Sequence, residues 1–278
     1  MKKWNFEQKH MDTRVAITIY SSRKKGDVAI DIQKAFSVFQ KLEAQFSIFR
    51  LDSELTRVNQ KAGTPTPVGP LLFQTLKYAI QVSKDSQGAF TAFRPFKNMF
   101  TNCTNIRLDP SANMVTIPSK TTLDLNSIVK GLAIDMALDC FGDNENIMIE
   151  AGGDIKVKGF PPKAYSWDIG IRNPAFPQKI ITVVHIRDCA ICTSGEYFRT
   201  HLVNPLSKKF KSNNTSVSSV TVIAPTAREA DALSTAAYFM DINQAVSFVE
   251  KHDSTSCLII DSANNVYASP RMKPLFKT

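Results

Sequence analysis

NIMIE at 146–150, WDIGIR at 167–172, KIITVVHI at 179–186, SSVTVIA at 218–224 and SCLIID at 256–261 decide the fold class. Each is short, rich in β-branched residues and bounded by turn-forming types, which is the signature of a strand. Between the fourth and fifth runs lie helical patterns over about 226–240 and 242–251. Strands and helices therefore mix without the regular alternation of a doubly wound parallel sheet. An α+β fold follows, with helices packed on a mixed, mainly antiparallel sheet.

Upstream, RVAITIY at 14–20 alternates as a strand and runs into the turn SSRKKGD. Val28, Ile32, Ala35, Phe36, Phe39, Leu42 and Phe46 then recur at helical spacing, so a long amphipathic helix is expected over about 27–46. FSIFRLDSELTRVNQKAG leaves that pattern and has the composition of an ordered loop or short helix beside a site. GTPTPVGP at 63–70 breaks the chain, and a second helix begins just beyond Pro70. Residues 111–117 and 122–125 are expected as brief strands and 127–140 as a helix. The proline cluster is too short for an interdomain linker, and no internal repeat interrupts the chain, so one domain over 1–278 is expected.

The 278 residues are 43% hydrophobic and 21% charged, the balance of a globular chain rather than a disordered one. Lysine and arginine outnumber acidic residues 34 to 25, a net +9 that favours anionic partners. The basic clusters are short and not interleaved with aromatics, so no nucleic-acid partner is expected. MKKWNFEQKH starts like a basic leader but continues with Glu7, Gln8, Lys9 and His10 where an apolar stretch would begin. With no membrane span visible either, a cytoplasmic location is expected. Five cysteines, including the pair Cys189 and Cys192, read as buried or half-buried thiols rather than a disulfide framework.

Several segments carry candidate chemistry. In LDLNSIVKGLAID at 123–135 a strand ends at Asp124 and a helix starts near Asn126 or Ser127, with Lys130 and Gly131 in its early turns. Free N–H groups at a helix start plus a lysine suit a phosphate; an ordinary N-cap and an exposed lysine explain the same residues. In EAGGDIKVKG, Gly152 and Gly153 permit close approach of a ligand or a tight hairpin. In READALSTAAYFM, Asp231, Ser234 and Thr235 share one helical face. Such hard oxygens suit Mg²⁺, and they also suit helix capping.

Taken in order, LDLNSIVKGLAID, EAGGDIKVKG, WDIGIRNP, TSGEYFR, HLVNP and ADALSTA resemble the ApbE family of FAD:protein FMN transferases. The resemblance extends upstream to MDTRVAITIY and FSIFRLDSELTRVN. It implies two lobes around a flavin cleft, FAD as substrate, and Mg²⁺ against the pyrophosphate. FMN passes to a Thr or Ser of an acceptor flavoprotein and AMP leaves. Some members hydrolyse FAD to FMN and AMP instead.

Carried over residue by residue, the resemblance puts Met11, Phe49, Val203 and the backbone of Ala89, Phe90 and Thr91 against FAD. Asp124 and Lys130 match FAD-contacting positions, and Ser127, Asp231, Ser234 and Thr235 match metal-binding ones. His201 matches the base that faces the acceptor hydroxyl. The chain departs from the family at four places. Phe90-Thr91-Ala92-Phe93 replaces Phe-Asp-Pro-Thr, and Asn204 replaces the Asp of His-x-x-Asp-Pro. Ser207-Lys208 stands for Thr-Gly, and Asp12 for the Gly of Met-Gly-Thr. The missing carboxylates leave a non-catalytic FAD-binding protein as a further reading, because Thr and Asn side chains accept no proton at neutral pH.

Overall fold

A computed structural model describes residues 1–94, 101–143, 145–195, 203–204, 209–210 and 217–276. The chain begins with a hairpin of β1 (Lys2–His10) and β2 (Thr13–Ser21), closed by the pair His10 and Thr13. The two loop residues, Met11 and Asp12, both have positive φ, at 50° and 56°. That is the type I′ geometry whose twist matches the flanking strands, and aspartate tolerates it better than most residues.

Six more strands extend this hairpin. They are β3 (Asn146–Ala151), β4 (Asp154–Lys158), β5 (Ala190–Gly195), β6 (Val217–Ala224), β7 (Ser256–Asp261) and β8 (Val266–Ala268). The sheet order follows the chain order from β1 to β8, and every neighbouring pair is antiparallel. Between β2 and β3 the chain inserts α1 (Lys25–Phe46), α2 (Glu54–Gln60), α3 (Pro70–Asp85) and α4 (Asn126–Leu138). Between β6 and β7 it inserts α5 (Ala227–Ala237) and α6 (Ile242–Glu250).

Alternation along the strands gives the sheet two apolar faces. Val15, Ile17, Ile149, Cys192 and Val222 join the core shared with the helices. Val157, Ile191, Ile223, Leu258 and Ile260 face the other way, under a two-stranded ribbon of Trp167–Arg172 and Ile180–Ile186. The expected helix over 27–46 is present, and its whole stripe from Val28 to Phe46 is buried. Among the described residues no helix is long and apolar enough to cross a membrane.

The sequence expectations differ from the structure in particular places. Residues 111–117 form a strand only at Met114–Thr116, and 122–125 only at Thr122–Leu123. Pro118 lacks a ladder donor just beyond the first. The proline-rich segment is not all loop, because Thr66–Pro67 pairs with Met114 and Val115 at a sheet edge. Strands β1, β5 and β8 were not expected, and β4 was implied only by the hairpin alternative at Gly152 and Gly153. In β1 the apolar side is only half buried and ends in Gln8 and His10, so alternation of hydrophobic types is faint there.

The cysteines behave as thiols, and all five are free. Cys189 packs with the ribbon side and Cys192 with the helix side, opposite faces as an odd spacing along extended chain requires. Burial pushes the Cys189 thiol up to about 11 and the Cys257 thiol up to about 12.

Helix α4 crosses α5 so closely that a Cβ on Gly131 would lie 2.7 Å from the Arg228 nitrogen and closer still to the Ala227 carbonyl. Both obstacles are backbone, so one helix would have to move. Gly131→Ala is expected to lower stability by about 1–3 kcal/mol, read from urea denaturation. A thiol reagent at neutral pH should label the native protein slowly and all five cysteines after unfolding.

Candidate functional site

The turns joining β1 to β2 and β3 to β4 lie at the same end of the sheet, and the chain leaves β5 and enters β6 there too. Gly152 and Gly153 form the two-residue β3–β4 loop with φ of 58° and 94°, so the paired glycines make a tight hairpin. Gly152 packs against Thr13, with no room for a Cβ beside its Oγ1 at 2.7 Å. The loop delivers Asp154 as the first residue of β4, with its side chain 4% exposed.

Lys130, in the second turn of α4, brings its ammonium to this carboxylate and to Asp231 of α5, 3.6 Å away. The Asp231 side chain is 2% exposed and that of Lys130 24%. Among the described residues, two buried carboxylates thus meet around the Lys130 ammonium, a placement of charge that is costly unless geometry and hydrogen bonds compensate it. Asp154 also accepts from the Thr193 N–H at 3.4 Å.

Ser234 and Thr235 bring hydroxyls to the same place. Both donate to the Asp231 carbonyl, at 3.1 and 2.9 Å, and both lie within hydrogen-bond distance of Ser194 Oγ on β5, at 3.0 and 3.3 Å. Ser234 is fully buried between helix and strand, whereas Thr235 retains slight exposure. The donor set is all oxygen, with two buried carboxylates and neighbouring hydroxyls, and it fits a hard cation such as Mg²⁺.

The start of α4 forms the second part of the site. The helix starts at Asn126, as expected, but the alternative of an ordinary Asn or Ser N-cap does not hold, because Leu125 occupies that position without a side-chain bond. The Asp124 carboxylate accepts from the Asn126 N–H instead, at 3.1 Å. Its other oxygen lies 3.4 Å from the Arg94 guanidinium, which also sits 5.9 Å from the centre of the Phe49 ring. Phe49 is 77% exposed, an aromatic face with little covering it. Ser127 is half-buried on the first turn, one turn before Lys130.

Ala89 and Phe90 are fully buried, backbone included, so the structure does not bring either of them to an exposed ligand surface. The Phe90 N–H donates to Ser86 Oγ at 3.0 Å and its carbonyl accepts from Ser83 at 2.8 Å. Thr91 donates to the Thr101 carbonyl at 2.8 Å and accepts from the Phe93 N–H. The donation is one that an ionised aspartate at this position would not make. The Asp124 N–H bonds to the Ala92 carbonyl at 2.7 Å, which joins this segment to the α4 start.

Met11 occupies the β1–β2 turn, with its N–H on Glu43 at 3.0 Å. Val203 and Asn204 pair with Phe210 and Lys209. His201 lies outside the described residues, as do Tyr197, Ser207 and Lys208. Sequence reasoning missed Asp154, Ser194 and Arg94 as members of the site. The glycine pair was the available signal for Asp154, since a two-residue hairpin fixes where the next side chain enters. A cavity of about 420 Å³ lies elsewhere, lined by His185, Arg187, Ser256 and Arg271 among others, and includes none of these residues. Its polar groups are engaged locally, His185 with Asp168 at 2.7 Å and Arg271 with the Glu250 and His252 carbonyls.

An antiparallel sheet with helices on one face, carrying buried carboxylates, a lysine and a helix start at one end, defines an α+β protein with its candidate site at that end of the sheet. The family model for the ApbE family matches residues 11–259, and the chain belongs to that family. It is 26% identical to the FAD:protein FMN transferase of Treponema pallidum, over 92% of this chain and 84% of that protein. It is also 26% identical to the Vibrio cholerae protein of the same name, over 85% and 82%. Among solved structures, the ApbE protein of Thermotoga maritima superposes with a TM-score of 0.90 at 22% identity, each chain fully covered. The flavin transferase ApbE of Vibrio cholerae superposes at 0.85 and 23% identity, over 99% of each chain.

Lys130→Met removes the close ammonium from two buried carboxylates. Its expected cost is about 2–4 kcal/mol, less than for a fully buried pair because Lys130 is partly exposed. Chemical denaturation of the variant beside Lys130→Arg, expected to retain most of the stability, checks this.

Proposed function

We propose that this chain, acting as one domain over 1–278, transfers FMN from FAD to a Thr or Ser hydroxyl of an acceptor flavoprotein and releases AMP. The observation that carries the reading is the buried cluster of Lys130, Asp154 and Asp231 beside the start of α4. It couples the oxygen donors of a cation site to a phosphate-sized positive end, which a pyrophosphate substrate needs. The names of the relatives support the flavin and the acceptor.

Asp231 and Thr235 hold Mg²⁺, with an oxygen from Ser127, while Ser234 ties their helix to β5. When bound, the ion offsets charge on the pyrophosphate and on departing AMP. Lys130 and the positive end of the α4 dipole attract the remaining phosphate oxygens. Asp124, Met11, Phe49, Val203 and the backbone of Thr91 hold the nucleotide and flavin. His201 takes the proton as the acceptor oxygen bonds to the FMN phosphorus. The bond from that phosphorus to the bridging oxygen breaks, and AMP carries the oxygen away.

The Thr91 bond to the Thr101 carbonyl favours a second reading. A site position that carries a carboxylate in the family is here occupied by a hydroxyl donor with its own structural partner. On that reading the protein binds FAD and does not turn it over.

Incubation with FAD and a flavoprotein acceptor, with Mg²⁺ or EDTA, separates the readings. The transferase predicts AMP release that needs both acceptor and Mg²⁺, with flavin becoming covalent on the acceptor. Asp231→Asn should then reduce the rate by about 10²-fold or more. AMP without acceptor would identify hydrolysis, and tight FAD binding with no AMP would identify the non-catalytic protein.

A further inference from the structure

Asp135 lies five residues beyond Lys130 on α4, and its carboxylate is bonded to three donors outside its own helix. It accepts from the Ala227 N–H at 2.8 Å, the Arg228 N–H at 2.9 Å and Lys156 Nζ at 2.7 Å. Ala227 and Arg228 are the first two residues of α5. The next two N–H groups bond to Thr226, from Glu229 to its hydroxyl at 3.2 Å and from Ala230 to its carbonyl at 3.0 Å. A helix start normally leaves four donors without intrahelical partners. Here two of the four are taken by a side chain from a neighbouring helix, whose charge also complements the helix dipole.

This cap joins the two helices that carry the cluster. Lys130 is on α4 with Asp135, and Asp231 lies one turn beyond Ala227 on α5. The crossing point between them has no slack, because Gly131 already touches the backbone of Ala227 and Arg228. A shift of the α5 start is therefore carried to the Asp231 carboxylate and the Thr235 hydroxyl. Lys156, on β4 two residues after Asp154, ties the same carboxylate to the strand that supplies the other acid of the cluster.

We propose that Asp135 is a positioning residue for the cation site: by capping α5 from α4 it sets the placement of Asp231 and Thr235 relative to Lys130 and Asp154. The proposal rests on the reading that Asp231 and Thr235 bind a divalent cation. Asp135 itself acts through α5, its carboxylate being held by the three donors named.

The test titrates Mg²⁺ calorimetrically into the full chain saturated with FAD, and measures FAD affinity in EDTA by flavin fluorescence. Asp135→Asn keeps the shape and loses the charge. It is expected to raise the Mg²⁺ dissociation constant on the order of tenfold, the effect typical of groups that orient metal ligands. FAD affinity in EDTA should change by less than about twofold, because Met11, Phe49 and Asp124, which the reading assigns to the nucleotide, lie on other segments than α5. Any loss of turnover should be recovered at saturating Mg²⁺, and Asp135→Glu should restore part of the cation affinity.

An Asp135→Asn protein that melts like the wild type and binds Mg²⁺ equally well overturns the proposal, as does a turnover loss that Mg²⁺ does not recover. If that variant does not fold, Lys156→Met decides instead. It leaves both N–H bonds and removes the ion pair, and weaker Mg²⁺ binding is expected while unchanged binding overturns the proposal. Absence of Mg²⁺ binding by the wild type would overturn the cation reading itself, a different result from wild-type binding with unaffected variants.

Discussion

Asp154 and Asp231 are removed from water on different elements, one opening a strand and the other inside a helix, and the ammonium of Lys130 reaches both. Burying charge of this kind costs several kcal/mol per ion unless geometry and hydrogen bonds compensate it. The surrounding architecture supplies that geometry. A two-glycine hairpin fixes where Asp154 enters, a glycine crossing brings α4 and α5 together, and Ser194 links α5 to the sheet. A well-packed apolar cluster of the same size would be easier to form, so the arrangement makes sense as a binding device. Lys130 is the least buried of the three, so its ammonium lies on the exposed side of the cluster.

The long amphipathic helix, the five strands of the second half and the absence of β-α-β alternation were legible because hydrophobic spacing reports burial directly. β1 and β5 were not. β1 is an edge strand whose inner side is half buried, and β5 carries Cys192, Thr193 and Ser194, small polar types that read as a turn. Their strand conformation comes from neighbours on either side, information absent from a local window. The site was legible in the same uneven way. Asp231, Ser234 and Thr235 announced themselves by helical spacing, while Asp154 depended on a hairpin register and Arg94 on a contact made through Asp124.

Departures from the family pattern also have local physical accounts. Asp12, an expected departure from the family's glycine, has a φ of 56°, in the left-handed region that glycine enters freely and aspartate enters at modest cost. Its carboxylate pairs with Lys9 at 2.7 Å across the turn. Thr91 has likewise acquired partners suited to a hydroxyl, with donation to Thr101 and acceptance from Phe93. Both side chains are thus engaged in local bonds suited to their chemistry.

Among the described residues, the nine-residue strand β1 forms one border of the sheet, with a row of main-chain groups that no neighbouring strand covers. Such a border invites another chain to add itself, the first step toward aggregation. Lys2, Lys3 and Lys9 are all exposed along it, and a second copy arriving edge to edge would have to bring like charges together. Charged side chains along such a border, lysine above all, are the usual means by which a sheet edge resists that addition.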